Sequence, residues 1–193
     1  MTFLSNKHYS IYLIILFTFS VFFLNEKHIV GNDSTISEWI INYEGGFTKR
    51  GLIGQICIYL SNIFDIQLRV SILIFQIFIV GIYFLSLYFF FLNLKFNNLI
   101  IFSIFSPIFI LYPVAEIEVL ARKETFLFCF FLFYLFIENK SYKKIYKILI
   151  LPLAVLIWEP VVFFFPFWFI VDFIEEDQKN ILNYFLKSFL YYI

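Results

Sequence analysis

The sequence predicts an all-α fold: a polytopic transmembrane helical bundle of about five to six spans, with a short interfacial helix in the first outer loop. Two observations predict it. Of 193 residues, 62% are hydrophobic and 15% are charged, whereas soluble domains have roughly 45–50% and 25%. Uncharged apolar runs also recur along the chain, and a bilayer core needs roughly 20 apolar helical residues. We therefore expect residues 1–193 to form a single integral membrane domain.

Charge and cysteine content exclude several classes of function. Fourteen basic and fourteen acidic residues give zero net charge, so the chain lacks the basic field that nucleic-acid binding requires. Cys57 and Cys129 lie 72 residues apart and lack the spacing of zinc ligands. We expect no nucleic-acid partner, no metal and no cofactor.

Five apolar runs are candidate spans, and a sixth begins near the C-terminus: residues 9–24, 70–92, 99–115, 125–137, 148–171 and 180–193. No small-x-small cleavage site follows the first run, so we interpret it as an uncleaved anchor. Pro107 is expected to bend or end the third run. Because the sequence stops inside the sixth run, a truncated or split gene product is one interpretation.

The basic residues predict an orientation. Lys140, Lys143, Lys144 and Lys147 fall within eight residues, and such clusters mark cytoplasmic loops. Alternation then places the N-terminus in the cytoplasm. The outer segments would be residues 25–69, 113–124 and 172–179.

The first outer segment, residues 25–69, contains two helix signals. Thr35 and Glu38 form a capping box before an apolar run, and the pair Gly45-Gly46 is expected to close that helix. Residues 52–64 carry apolar side chains at three- and four-residue spacing. At about 20 Å, this second helix is expected to lie in the interface, with a crossing helix as the alternative.

Residues 43–54 are the first polar stretch of interest. They combine Glu44, a glycine pair and the adjacent cations Lys49 and Arg50 before a helix. An arginine fork can hold two phosphate oxygens, and a helix N-terminus attracts anions. The alternative is a membrane-edge turn in which both cations snorkel to lipid phosphates.

Residues 116–124 are the second stretch. On a helix, Glu118 would lie within 40° of Arg122 and Glu116 within 20° of Lys123. We expect both cations at the depth of lipid headgroups; a solvated helix start is the alternative.

The third place is Glu159, between Trp158 and Pro160 and near the middle of the run 148–171. A carboxylate inside a membrane beside a proline bend is a functional candidate, with a buried cation as its expected partner. The alternative is a protonated carboxyl group bonded to a neighbouring helix.

Residues 43–54, 121–124 and 158–160 together resemble the N-terminal part of multispanning bacterial surface-polysaccharide proteins, which are similar to GT-C type glycosyltransferases and O-antigen polymerases. The resemblance implies a sugar donor attached to a polyprenyl phosphate or diphosphate, reacting at the outer face. It implies that Asp33 or Glu44 activates an acceptor hydroxyl. It also implies that four cations hold the phosphate leaving group: Lys49, Arg50, Arg122 and Lys123. Enzymes of this type usually have about twice as many spans.

The expected function is glycosyl transfer or polymerisation in surface-polysaccharide biosynthesis. Asp33, Glu44 and Glu159 are the candidate catalytic residues. The expected substrate-binding residues are Lys49, Arg50, Glu116, Glu118, Arg122 and Lys123. The expected partners are membrane lipid, the lipid-linked sugar and other polysaccharide-assembly proteins. Two alternatives stay open: a transporter or flippase component with Glu159 as coupling carboxylate, and a non-catalytic membrane subunit or fragment.

Overall fold

The computed structural model describes residues 6–31, 33–92, 97–106, 110, 114, 118–175 and 185, with only the backbone of residues 6 and 33–35. The described α-helices are α1 (Asn6–Val30), α2 (Asp33–Ile40), α3 (Gly51–Phe64), α4 (Leu68–Leu92), α5 (Asn98–Phe105), α6 (Glu124–Phe136), α7 (Lys140–Ile157) and α8 (Phe165–Glu175); a 3₁₀ helix covers Glu159–Phe164. Since the described residues contain no strand, the all-α prediction is confirmed.

Helices α1 and α4 form an antiparallel pair. The Tyr9 hydroxyl donates to the Leu87 carbonyl at 3.3 Å near one end, and His28 Nε2 lies 2.9 Å from Gln76 Oε1 near the other. These two described helices are long and apolar enough to cross a membrane. They support the predicted membrane location without fixing an orientation.

Helix α6 packs against α4 on a further face. The Phe126 and Phe75 rings lie 6.1 Å apart, and the Cys129 sulfur lies 3.9 Å from the Ile79 carbonyl oxygen. Because both residue numbers rise together, α6 and α4 run in the same direction. The 13-residue α6 matches the predicted short fourth helix. Helix α5 ends at Phe105, just before Pro107 as expected; most of residues 107–117 lie outside the described residues.

The run 148–171 does not form the single span that was predicted. Helix α7 ends at Ile157, Trp158 is extended with φ −159° and ψ 102°, and the 3₁₀ helix and α8 follow. Pro160 has no N–H and cannot continue a helix ladder. The ends of the run then meet, because Lys147 pairs with Asp172. The chain therefore forms a helical hairpin over residues 140–175.

This hairpin also corrects the predicted orientation of the C-terminal part. Residues 140–147 and 172–179 were assigned to opposite sides of the membrane. Instead, Lys143 Nζ lies 2.5 Å from Glu175 Oε1, so residues 140–147 and the described residues 172–175 share one end of the bundle. The length of the apolar run predicted a helix that continues through Trp158, which is where it breaks.

The first outer segment contains both predicted helices with altered bounds. Helix α2 begins at Asp33, two residues before the predicted cap Thr35, and ends at Ile40. The pair Gly45-Gly46 therefore does not close it and lies in an exposed loop. Helix α3 confirms the periodic run, and the Ser71 hydroxyl, donating to the Cys57 carbonyl at 2.9 Å, joins it to α4.

Candidate functional site

A cluster of charged side chains forms where four segments of the chain converge, and we call it the Arg50 cluster. The segments are α2, the turn before α3, the turn before α6 and the tip of the hairpin. Its members are Glu38, Arg50, Arg122, Lys123, Glu124 and Glu159.

Arg50 and Glu159 form the central ion pair. Arg50 Nε and Nη2 donate to the two Glu159 carboxylate oxygens at 2.5 and 2.9 Å. The side chains are 31% and 35% exposed, so the pair faces an open side of the cluster. The hydrogen bonds from Arg50 lower the pKa of Glu159, and those to Glu159 raise the pKa of Arg50. Glu159 is therefore a charged carboxylate with a cationic partner, rather than a protonated carboxyl group.

Lys123 lies beneath this pair. Its residue is completely buried, and its ammonium donates to the Arg50 carbonyl at 2.6 Å. Burial lowers the pKa of Lys123 to about 8, against the attraction of the Glu38 and Glu159 carboxylates. A buried cation thus sits directly under the backbone that carries Arg50.

Arg122 forms the other side of the cluster. Its Nη2 lies 3.0 Å from Glu38 Oε1 and 3.3 Å from Glu124 Oε1. The second carboxylate oxygen of each glutamate, Oε2, is buried and has no hydrogen-bond partner within the described part of the chain. Unpaired buried oxygens are costly, so this side retains capacity for a hydrogen-bond donor.

Close backbone packing fixes the turn that presents Arg50. At Gly54, an added Cβ would lie 2.0 Å from the Ile41 carbonyl oxygen, and at Gly51 it would lie 2.4 Å from the Tyr43 ring. Neither position can hold a larger residue without displacing the loop. Arg50 itself has φ 65°, in the left-handed region.

The turn before α6 is held from the opposite direction. The Trp39 indole Nε1 donates to the Ala121 carbonyl at 3.1 Å, and Ala121 has φ 56°. Because residues 118–121 form turns and not a continuous helix, the helical-wheel argument that placed Glu118 beside Arg122 does not apply. The predicted partner of Lys123, Glu116, lies outside the described residues.

Four of the predicted site residues come together: Arg50, Arg122, Lys123 and Glu159. Glu44 and Lys49 are exposed in the loop before α3, and Glu118 is exposed in its turn. The side chain of Asp33 and all of Glu116 lie outside the described residues.

Sequence reasoning missed two members of the cluster. Glu38 was interpreted only as a capping residue and instead contacts Arg122. Glu124 was noticed within its charged stretch but given no binding role, although it contacts the same guanidinium. The sequence feature that could have identified Glu38 and Glu124 was their position beside apolar runs, where a solvent-exposed carboxylate is not expected.

A second charged cluster, which we call the Lys147 cluster, lies at the other end of α6: Tyr134, Lys143, Lys147, Asp172 and Glu175. Asp172 pairs with Lys147 and accepts from the Tyr134 hydroxyl. The Trp168 ring stacks on Tyr134 at 4.8 Å. The Lys147 and Asp172 side chains are only 5% and 6% exposed, so this pair joins the base of the hairpin and is closed to ligands.

Within the described residues, no group of three or more histidine, cysteine or acidic side chains could hold a metal ion. The Arg50 cluster instead combines three cations, Arg50, Arg122 and Lys123, with three carboxylates. Guanidinium and ammonium groups bind phosphate or carboxylate oxygens, and Arg50 already holds one carboxylate in this way. No family model, curated protein or solved structure matches the chain. The function is therefore argued from this geometry.

Proposed function

We propose that this chain is an integral membrane protein of surface-polysaccharide biosynthesis that binds a polyprenyl-phosphate-linked sugar at the Arg50 cluster and takes part in glycosyl transfer or polymerisation. In this proposal the chain lies in the bacterial inner membrane with its N-terminus in the cytoplasm. The cluster then faces the outer side, and the shorter helices complete a bundle of several spans around α1 and α4.

One observation supports the proposal most: Lys123 is a completely buried cation whose direct hydrogen-bond partner is a neutral carbonyl. The Glu38 and Glu159 carboxylates attract this ammonium, but it is hydrogen-bonded to neither of them, and a buried charge without a directly bonded counter-ion is unfavourable. Two further cations, Arg50 and Arg122, belong to the same cluster. An anionic headgroup placed beside them would compensate the buried charge.

The surroundings favour an anion that carries a lipid chain. Glu124 lines a small cleft of about 20 Å³ between α4 and α6, whose apolar walls include Tyr83, Phe84 and Phe128. Since this cleft is too small for an isoprenoid chain, the chain would lie against exposed apolar side chains of α4, such as Ile74 and Phe78. Free sugar phosphates would gain nothing from that surface.

The residues suit the chemistry of glycosyl transfer. Glu159 would accept the proton of the acceptor hydroxyl while the oxygen of that hydroxyl forms a bond to the anomeric carbon. The bond between that carbon and the phosphate oxygen breaks, and the electron pair stays on the phosphate. Arg50, Arg122 and Lys123 would stabilise the charge that develops there.

The transporter alternative receives less support. A coupling carboxylate must take up and release protons near neutral pH, whereas the hydrogen bonds from Arg50 lower the pKa of Glu159.

Substitution of the cations tests the proposed function. In a cell where deletion of the gene abolishes surface polysaccharide, Arg50→Ala and Arg122→Ala should each reduce its synthesis at least tenfold at unchanged protein level, the loss expected for one transition-state hydrogen-bond donor. Lys140→Ala is the matched control, because Lys140 is an exposed cation near the Lys147 cluster. If both arginine variants support wild-type synthesis, the site assignment is wrong.

A further inference from the structure

Glu159 occupies the edge of Arg50 that a phosphate would use. Its two oxygens accept from Nε and Nη2 of the same guanidinium, which is the two-point geometry that a phosphate also forms with arginine. One edge of a guanidinium cannot satisfy both anions in that geometry. A phosphate bound there must displace the carboxylate.

The pair is suited to such an exchange. Both side chains are about one-third exposed, and ion pairs of this exposure contribute little net stability. Lys123 is held separately, by its bond to the Arg50 carbonyl, so it can remain in place while the Arg50 side chain changes partner. The Lys147–Asp172 pair at the other end of α6 is buried and offers no comparable exchange.

We propose that Glu159 is an internal competitor for the Arg50 phosphate site, displaced by the phosphate of the substrate and thereby freed to act on the acceptor hydroxyl. This inference rests on the proposed function and adds its regulation. Without substrate, Arg50 holds the carboxylate. With the phosphate on Arg50, Glu159 loses its cationic partner beside the reacting groups, which makes it a stronger base when an acceptor is to be deprotonated.

Chemically, the exchange leaves the transfer balanced. Glu159 receives the acceptor proton, the new C–O bond forms at the anomeric carbon, and the old C–O bond breaks with its electron pair on the phosphate. When the phosphate product leaves and Arg50 pairs with Glu159 again, the lowered pKa of that carboxyl group favours release of the proton to water.

Binding of farnesyl phosphate to the full chain in detergent tests the exchange. Glu159→Gln should bind farnesyl phosphate about two- to tenfold more tightly than the wild type, since an exposed ion pair no longer competes. The same variant should lose polysaccharide synthesis. Arg50→Ala should bind more weakly. In the double variant Arg50→Ala/Glu159→Gln, the tighter binding caused by Glu159→Gln should disappear, because Glu159 competes with the phosphate only through Arg50.

Controls separate the possible outcomes. Glu138→Gln changes an exposed carboxylate outside the Arg50 cluster and should bind as the wild type does. Farnesol and inorganic phosphate distinguish binding of the isoprenoid chain from binding of the headgroup. Retained helicity with a cooperative thermal transition shows that each variant is folded. Weaker or equal binding by Glu159→Gln, with Arg50→Ala impaired, would overturn the exchange and leave the proposed function standing. Wild-type binding by both variants would overturn the proposed function as well.

Discussion

The two charged clusters lie at opposite ends of α6 and differ in how they treat an ion pair. In the Lys147 cluster the side chains of the Lys147–Asp172 pair are 5% and 6% exposed and lie beside the stacked rings of Tyr134 and Trp168. In the Arg50 cluster the central pair is 31% and 35% exposed, with a buried lysine beneath it. The buried Lys147–Asp172 pair thus joins the two arms of the hairpin at its base. The Arg50–Glu159 pair at the tip stays accessible to solvent. Burial, rather than residue type, separates the structural pair from the candidate functional one.

The largest effect on stability is expected from Asp172→Ala, which leaves Lys147 charged in a buried site and removes the acceptor of the Tyr134 hydroxyl. Loss of one partner of a buried pair typically costs about 3–5 kcal/mol. The free energy of unfolding in detergent, followed by the fluorescence of Trp168 and the other tryptophans, measures it. Glu138→Ala removes an exposed carboxylate and should change little. A loss below 1 kcal/mol for Asp172→Ala would show that the Lys147 cluster does not hold the hairpin.

The next effect concerns the backbone that presents Arg50. Gly54→Ala would bring a methyl group against the Ile41 carbonyl and is expected to cost about 1–3 kcal/mol, as overpacking does. Gly45→Ala is the matched control, because an added Cβ there meets nothing within 4 Å. Farnesyl phosphate binding should weaken in the first variant alone. Equal behaviour of the two alanine variants would mean that Arg50 does not depend on this contact.

The pH dependence of stability sharpens the comparison further. The pKa of Lys123 is lowered from 10.5 to about 8, so between these values the unfolded chain binds more protons and stability should rise with pH. Below about 8 the cost of burying the charge is fully present; above 10.5 it is relieved. The slope from this group is at most about 1.4 kcal/mol per pH unit.

Comparison with Lys123→Met isolates this term. Burial raises the pKa of Cys57 to about 11, so that thiol contributes a loss of stability as pH rises above about 9, opposite in sign. Because the charge of Lys123 itself lowers the pKa of Cys57, the comparison is made in a Cys57→Ala background. There the difference in stability between the protein with Lys123 and Lys123→Met should increase between pH 8 and 10.5 in favour of the protein with Lys123. A flat difference would contradict a buried, charged Lys123.

The smallest change in stability is expected from Arg50→Ala. Because its pair with Glu159 is partly exposed, the expected loss is at most about 1 kcal/mol. Thermal unfolding in detergent checks it beside the farnesyl phosphate assay. A loss of stability well above this value would show that the Arg50–Glu159 pair stabilises the fold as the Lys147–Asp172 pair does, and the two clusters would then not differ.

The sequence predicted much of the fold because helix formation depends on the spacing of apolar residues within short segments. Residues 52–64 and 125–137 appeared as helices close to their observed bounds. The long run at 70–92 corresponds to α4. The run 148–171 was wrong as a single span, because the length of an apolar run carries no information about a break at Trp158.

The candidate site was predicted in part. Arg50, Lys123 and Glu159 were singled out from their charge beside apolar sequence, but their contacts were not, because 109 residues separate Arg50 from Glu159. Glu38 was missed as a site member because a capping box accounted for it locally. Its partner Arg122 is 84 residues away.

Composition and periodicity by themselves determined that this is an all-helical chain with at least two helices fit for a bilayer, since both depend on short-range apolar spacing. Only the tertiary structure decided that the last helices double back and that Glu159 meets Arg50. Those pairings arise from a helix break and from packing between distant segments, and no local pattern along the chain encodes which distant charges will become neighbours.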